Sequence, residues 1–161
     1  MIPTELTGID RVRAALDMLA LDAKIVSPGR PMPTVPLAAE AVGCSVDQII
    51  KTVVFTDPTG KTIIAIARGT IRINRQKLAG VSGAATVKLA TPDYVLEETG
   101  YPAGGVSPIG IRNSGSCIVI DSRVLDETAV YGGAGTEDDL LYIRTADLVS
   151  VTGGTIADVT D

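Results

Sequence analysis

Lys51 stands alone in a run of apolar and β-branched residues, Ile49-Ile50-Lys51-Thr52-Val53-Val54-Phe55. Two readings of such a lysine are open. On an edge strand its head reaches water past apolar neighbours. In a pocket, the same cation either loses its proton and acts as a base or stays charged and binds an anionic group. A second segment, Thr99-Gly-Tyr-Pro-Ala-Gly-Gly-Val-Ser-Pro-Ile-Gly110, packs four glycines and two prolines into twelve residues. Adjacent glycines let the backbone approach a ligand and turn N–H groups toward it, the material of an oxyanion hole. They serve a tight turn between strands equally well. The run is neither GxGxxG nor a Walker-type phosphate loop, since no Gly-Lys-Ser/Thr follows. A third segment, Tyr131-Gly-Gly-Ala-Gly-Thr-Glu-Asp-Asp139, reads as a hairpin turn with solvated acids rather than a metal site.

What is missing narrows the chemistry. The chain has no histidine, so Ser-His and Cys-His nucleophiles are excluded. Cys44 and Cys117 are its only cysteines and form no CxxC, so neither a zinc site nor any other metal or cofactor is expected. Both are expected to be buried thiols of a cytoplasmic protein. No signal peptide or membrane span is legible.

These residues need elements to position them. Helical spacing of Val12, Leu16 and Leu19 predicts a helix over 9–21, followed by a short strand at 23–27 and a Pro/Gly loop at 28–33. A small-residue helix follows over 34–42, stopped by Gly43, and Ser45-Val-Asp-Gln48 is a capping-box pattern. The period then changes to that of strands. Residues 49–56 and 61–68 read as a hairpin about Asp57-Pro-Thr-Gly60. Further strands are expected at 86–89, 117–121 and 140–143, and short helices at 74–79, 92–98 and 146–151, with a polar tail. With 161 residues and no linker, the chain is expected to be one domain over 1–161. The expected fold is α+β, a mixed, mostly antiparallel barrel-like sheet with short surrounding helices.

Charge is unevenly spread. The net charge of −5 argues against gripping nucleic acid over the whole surface. Aromatics make up only 3 %, which disfavours base-stacking platforms. Between Lys61 and Lys88, however, lie six cations (Lys61, Arg68, Arg72, Arg75, Lys77, Lys88) and no acid. That stretch is either solvated surface or a local phosphate-contacting patch.

Taken in order, Pro36-Leu-Ala-Ala-Glu-Ala-Val-Gly43, Asp47-Gln-Ile-Ile-Lys-Thr-Val-Val-Phe55, Thr99-Gly-Tyr101, Gly104-Gly-Val-Ser-Pro-Ile-Gly110, Ile118-Val-Ile-Asp121 and Ala146-Asp-Leu148 resemble the YbaK/prolyl-tRNA-synthetase-associated domain family. The likeness covers residues 10–159, and its specific part is the pairing of the lysine strand with the later glycine loop. It implies a compact α+β fold with a mostly antiparallel barrel-like sheet. It also implies hydrolysis of the ester of a mischarged aminoacyl-tRNA, commonly Ala or Cys on tRNA-Pro, with that tRNA and prolyl-tRNA synthetase as partners.

The family's lysine falls on Lys51 and its glycine turn on Gly104, Gly105, Val106 and Ser107, while Thr52 lies beside the lysine. The implied substrate-contacting set is Thr52, Ser107 and Asp121, joined by Arg72 and Arg75 from the basic stretch. An activated ester needs less help than an amide. Water or a ribose hydroxyl can attack it, amides near Gly104–Val106 can hold the oxyanion, and Lys51 can hold phosphate or carbonyl groups.

Two departures stand out. Some relatives carry a pocket histidine that this chain lacks. Relatives also often show basic residues at 135–139, where Glu137, Asp138 and Asp139 stand here, so 61–88 is the better candidate for tRNA contacts. The competing readings are a non-catalytic tRNA- or synthetase-binding module and a small-molecule binding protein.

Overall fold

The computed structural model describes residues 2–161. Helix α1 (Gly8–Leu19) lays Val12 and Ala15 into the core and ends at Ala20 in a left-handed conformation. Strand β1 (Lys24–Val26) and the Pro/Gly loop lead to α2 (Val35–Val42). Thr34 caps α2 at its start, and Gly43 closes it with φ 74°. The expected capping box forms between Ser45 and Gln48 and starts a single 3-10 turn.

Strands β2 (Ile50–Thr56) and β3 (Thr62–Arg68) pair antiparallel along their full length, as the hairpin pattern requires. Asp57 organises their turn by accepting from the amides of Thr59 and Lys61. Then follow α3 (Arg75–Ser82), β4 (Lys88–Leu89), α4 (Pro92–Thr99), β5 (Cys117–Asp121), β6 (Ala129–Gly133), β7 (Leu140–Arg144), α5 (Thr145–Thr152) and β8 (Thr155–Ala157).

The architecture is α+β, with four of the six strand pairings antiparallel. The strands divide into a five-stranded sheet, β4-β2-β3-β5-β8, and a three-stranded sheet, β1-β7-β6. No closed barrel forms among the described residues. A lone parallel bridge, Ile49 to Tyr131, joins the end of β2 to β6. Strands β6 and β8 are additions to the sequence expectation, because Ala-Val-Tyr-Gly-Gly carries turn residues and the tail reads as polar.

Strand β2 is covered on both faces, which explains its nearly continuous apolar run. Ile50 and Val54 pack into the main core with Val12, Tyr101, Val106 and Leu141. Phe55 faces the other way, into a second core beneath α3 with Leu78 and Ala79. By strand alternation Thr52 belongs to the first face and Lys51 to the second. Among the described residues no helix is long and apolar enough to cross a membrane.

Candidate functional site

The β2 strand has one incomplete edge. Strand β4 pairs only with Phe55 and Thr56, and one further bond runs from the Ala90 amide to the Val54 carbonyl, 3.0 Å. At the other end, β6 reaches only Ile49. Between them Lys51, Thr52 and Val53 line a cavity of about 290 Å³. Val54 turns its backbone groups to this edge. Thr52, two residues away, therefore does the same.

Gly104 and Val106 bring the glycine loop to the opposite wall, and Glu137 and Asp139 bring in the β6–β7 loop. Val35, Ala38, Ile49 and Leu140 make the remainder of the wall apolar. A larger cavity of about 590 Å³ lies at the far end of β2, beside Lys88 and Tyr94, and holds none of these groups.

Lys51 is half-buried, and burial pushes its ammonium below the usual lysine range. It forms no ion pair among the described residues. Thr52 is 8 % exposed and its hydroxyl has no hydrogen-bond partner. A buried, unpaired hydroxyl costs free energy, and Thr52 carries this one at a residue that lines the cavity. Val106 is buried too, and its amide meets no acceptor among the described residues.

The two loops dock backbone to backbone. The Gly105 amide donates to Pro102, 2.9 Å, closing the turn, and its carbonyl accepts from Gly135, 2.8 Å. Neither Gly104 nor Gly105 has a left-handed φ. Space is what Gly105 provides: a Cβ there would lie 2.8 Å from the Thr136 nitrogen. At Gly133 it would lie 2.2 Å from the Val106 carbonyl oxygen. With its own N–H taken by Pro102, Gly105 has no donor to offer a ligand, which leaves Val106 as the loop's deep donor.

Other expected residues fall elsewhere. Ser107 is fully buried beneath the cavity wall, and its hydroxyl accepts from the Ile109 amide at 3.4 Å. The neighbouring Tyr101 phenol donates to the Ile109 carbonyl, 2.6 Å, and burial pushes its pKa far up, so it stays a donor. Asp121 is fully buried at the end of β5. It accepts from the Val159 amide (2.9 Å) and the Thr160 hydroxyl (3.2 Å), which ties down the chain's tail. It does not line the cavity.

The basic stretch is thinner in space than in sequence. Arg68 is ringed by Asp47, Asp126 and Glu127, Lys77 pairs with Asp158, and Lys61 donates to the Ser82 carbonyl. Arg72 and Arg75 remain exposed, with Arg75 over the Phe55 ring at 5.8 Å. Phe55 shares the Lys51 face of β2, about 13 Å along the strand at the usual rise.

The acidic loop was not expected at the site. Asp139 is held by the hydroxyls of Thr136 and Ser27. Glu137 is exposed, and its carboxylate lies over Gly104, with Oε1 2.9 Å from where a Cβ there would stand. The available signal was the hairpin itself, since β6–β7 pairing had to bring 134–139 back to the glycine loop.

The family model described as "Aminoacyl-tRNA editing domain" matches residues 30–151. A proline–tRNA ligase of Nitratidesulfovibrio vulgaris (strain DP4) is 32 % identical over 131 residues, 81 % of this chain and 21 % of the ligase. The chain thus spans about a fifth of the length of that synthetase. The uncharacterized protein YwhH of Bacillus subtilis (strain 168) is 27 % identical over 115 residues, 71 % of this chain and 72 % of YwhH. A solved structure described as a "putative trans-editing enzyme for prolyl tRNA synthetase" superposes with a TM-score of 0.87 at 30 % identity, covering 100 % of this chain and 99 % of that one.

Proposed function

The chain belongs to the aminoacyl-tRNA editing domain family, and from that premise we propose that it hydrolyses the ester of mischarged aminoacyl-tRNA in trans, with Ala- or Cys-tRNA-Pro as the substrate type. The observation that carries this is the pair of buried, unpaired donors, the Thr52 hydroxyl and the Val106 amide, at the same cavity as Lys51. That is the inventory an ester carbonyl needs when its oxygen becomes negative.

Water attacks the carbonyl carbon, and the oxygen gathers charge against the Val106 amide and the Thr52 hydroxyl. The bond from carbon to the ribose oxygen then breaks. That oxygen leaves with a proton from the attacking water, giving the free ribose hydroxyl, the amino-acid carboxylate and one proton. Lys51 remains an ammonium in this reading. It holds the terminal phosphate or the carbonyl and adds positive potential where charge develops. Ser107 and Asp121 support the loop and the tail rather than the substrate. The reaction belongs in the cytoplasm, where charged tRNA and prolyl-tRNA synthetase meet.

The test is deacylation of a panel of mischarged tRNAs by the purified chain. Release of Ala or Cys from tRNA-Pro at a rate well above spontaneous ester decay is the expected result. Binding without turnover anywhere in the panel would turn the protein into a non-catalytic module.

A second expectation concerns the tRNA body. Arg72 and Arg75 are the arginines of the basic stretch that are exposed and free of carboxylates among the described residues, and Lys61 and Lys88 share that exposure. The double variant Arg72→Glu/Arg75→Glu should raise KM several-fold while kcat changes less, and wild-type binding should weaken with added salt. An unchanged KM with a flat salt response would put the tRNA on another face.

A further inference from the structure

Glu137 is an odd neighbour for a polyanion. An RNA 3′ end brings phosphates to the cavity, and a carboxylate at its mouth repels them unless it meets a cation. Among the described residues no cation pairs with it. Glu137 has no ion pair or hydrogen bond among the described residues, whereas Asp139 beside it has both oxygens occupied. Glu137 lies over Gly104 at the junction of the site cavity with an adjoining one of about 360 Å³. Lys51 lines the site cavity too, and the Thr52 hydroxyl, more than nine-tenths buried and unpaired, marks that cavity independently as a place for a polar ligand.

We infer that Glu137 receives the free α-ammonium of the aminoacyl group, so that the site takes unblocked aminoacyl esters and turns away N-acylated ones. This rests on the editing reading above and names its substrate class more closely. The α-ammonium is the cation that an aminoacyl end carries, with an ordinary pKa of about 7.7–8.0 for an α-amino group. In the substrate it is one carbon away from the ester carbonyl. A carbonyl oxygen set against the Val106 amide therefore leaves the ammonium within reach of the neighbouring Gly104 position, where the Glu137 carboxylate lies. Charges of both signs along one cavity, Lys51 and Glu137, match a substrate that is anionic at its phosphate and cationic at its amine. An acetyl or formyl group, or a peptide, on that nitrogen removes the charge and adds bulk beside Glu137.

The experiment uses two probes that cannot be hydrolysed, 3′-alanylamino-3′-deoxyadenosine 5′-phosphate and its N-acetyl derivative, titrated calorimetrically into the full chain. Wild type should bind the free amine at least tenfold more tightly. Glu137→Gln should lose that preference by weakening the free-amine probe alone, and Glu137→Asp should retain part of it. Glu137 is exposed, so the variants should fold as wild type does, and matched melting curves verify this. Equal affinity of wild type for both probes, or a preference that survives in Glu137→Gln, overturns the assignment. Parallel deacylation of Ala-tRNA-Pro and N-acetyl-Ala-tRNA-Pro separates the two conclusions. No turnover of either ester defeats the editing reading, while the amide probes still decide the role of Glu137.

Discussion

Replacing Lys51 by alanine should cut deacylation at least tenfold while the melting curve stays near that of wild type. The ammonium is half-buried at the open edge of β2 and has no carboxylate partner among the described residues, so its removal breaks no internal ion pair. What it removes is positive potential at a cavity wall, where partial burial makes a charge count for more than it would in water. Lys51→Arg should also lose activity, because a planar fork does not occupy the place of a compact ammonium. Burial lowers the pKa of Lys51, which sets the sign of the pH response. The neutral amine takes over as pH rises, and it does so before an exposed lysine would titrate. After correction for alkaline ester decay, the wild-type rate should fall there. Full turnover by the alanine variant would take Lys51 out of the mechanism.

Gly105→Ala should lower kcat by roughly 10²-fold, the scale of one misplaced oxyanion donor. The cause is not the φ angle, which any residue can adopt. The new methyl group would meet the Thr136 backbone at 2.8–3.0 Å, and backbone cannot swing aside as a side chain can. Either the glycine loop or the segment at Thr136 must retreat, taking the Val106 amide or Glu137 with it. Overpacking of this kind costs about 1–3 kcal/mol, which lowers Tm by roughly 2–12 °C in a chain of this size. A substantial thermal effect is thus expected alongside the kinetic one. Ser107→Ala is the control. Its hydroxyl accepts one long bond inside the loop and does not line the cavity, so turnover should change less than threefold. Abolished turnover in Ser107→Ala beside an intact Gly105→Ala would point to a serine nucleophile instead.

The elements carrying the site were legible because each had a local cause. Proline, glycine and Asx chemistry fixed the β2–β3 turn, the capping box started the turn before β2, and the apolar run marked a strand covered on both faces. Lys51 and the loop at 99–110 were legible as breaks in those patterns. What was hidden depended on partners distant in sequence. The basic stretch looks free of acids along the chain, yet Arg68 gathers Asp47 from one distant place and Asp126 and Glu127 from another. The open backbone edge at Thr52 follows from β4 being only two residues long, which no feature of β2 announces. Glu137 reads as a solvated turn residue until β6 and β7 pair and set it over Gly104. A mixed, mostly antiparallel barrel-like sheet was expected from short strands interleaved with short helices, and the strands divide between two sheets with no closed barrel among the described residues. The parallel pairings β3–β5 and β5–β8 extend the five-stranded sheet beyond the hairpin.

The gap beside β2 has a cost in self-association. The Thr52 backbone donor and acceptor left open between β4 and β6 are a template on which a strand from another copy of the chain can add itself. The opening beside Lys51 is therefore also a place where the protein can pair with itself. A charged lysine in the middle of such an edge keeps like chains apart, since pairing would desolvate the ammonium. Its charge guards solubility whether or not a ligand is bound, so a drop in rate after its removal has to be read at concentrations where the protein is still a monomer.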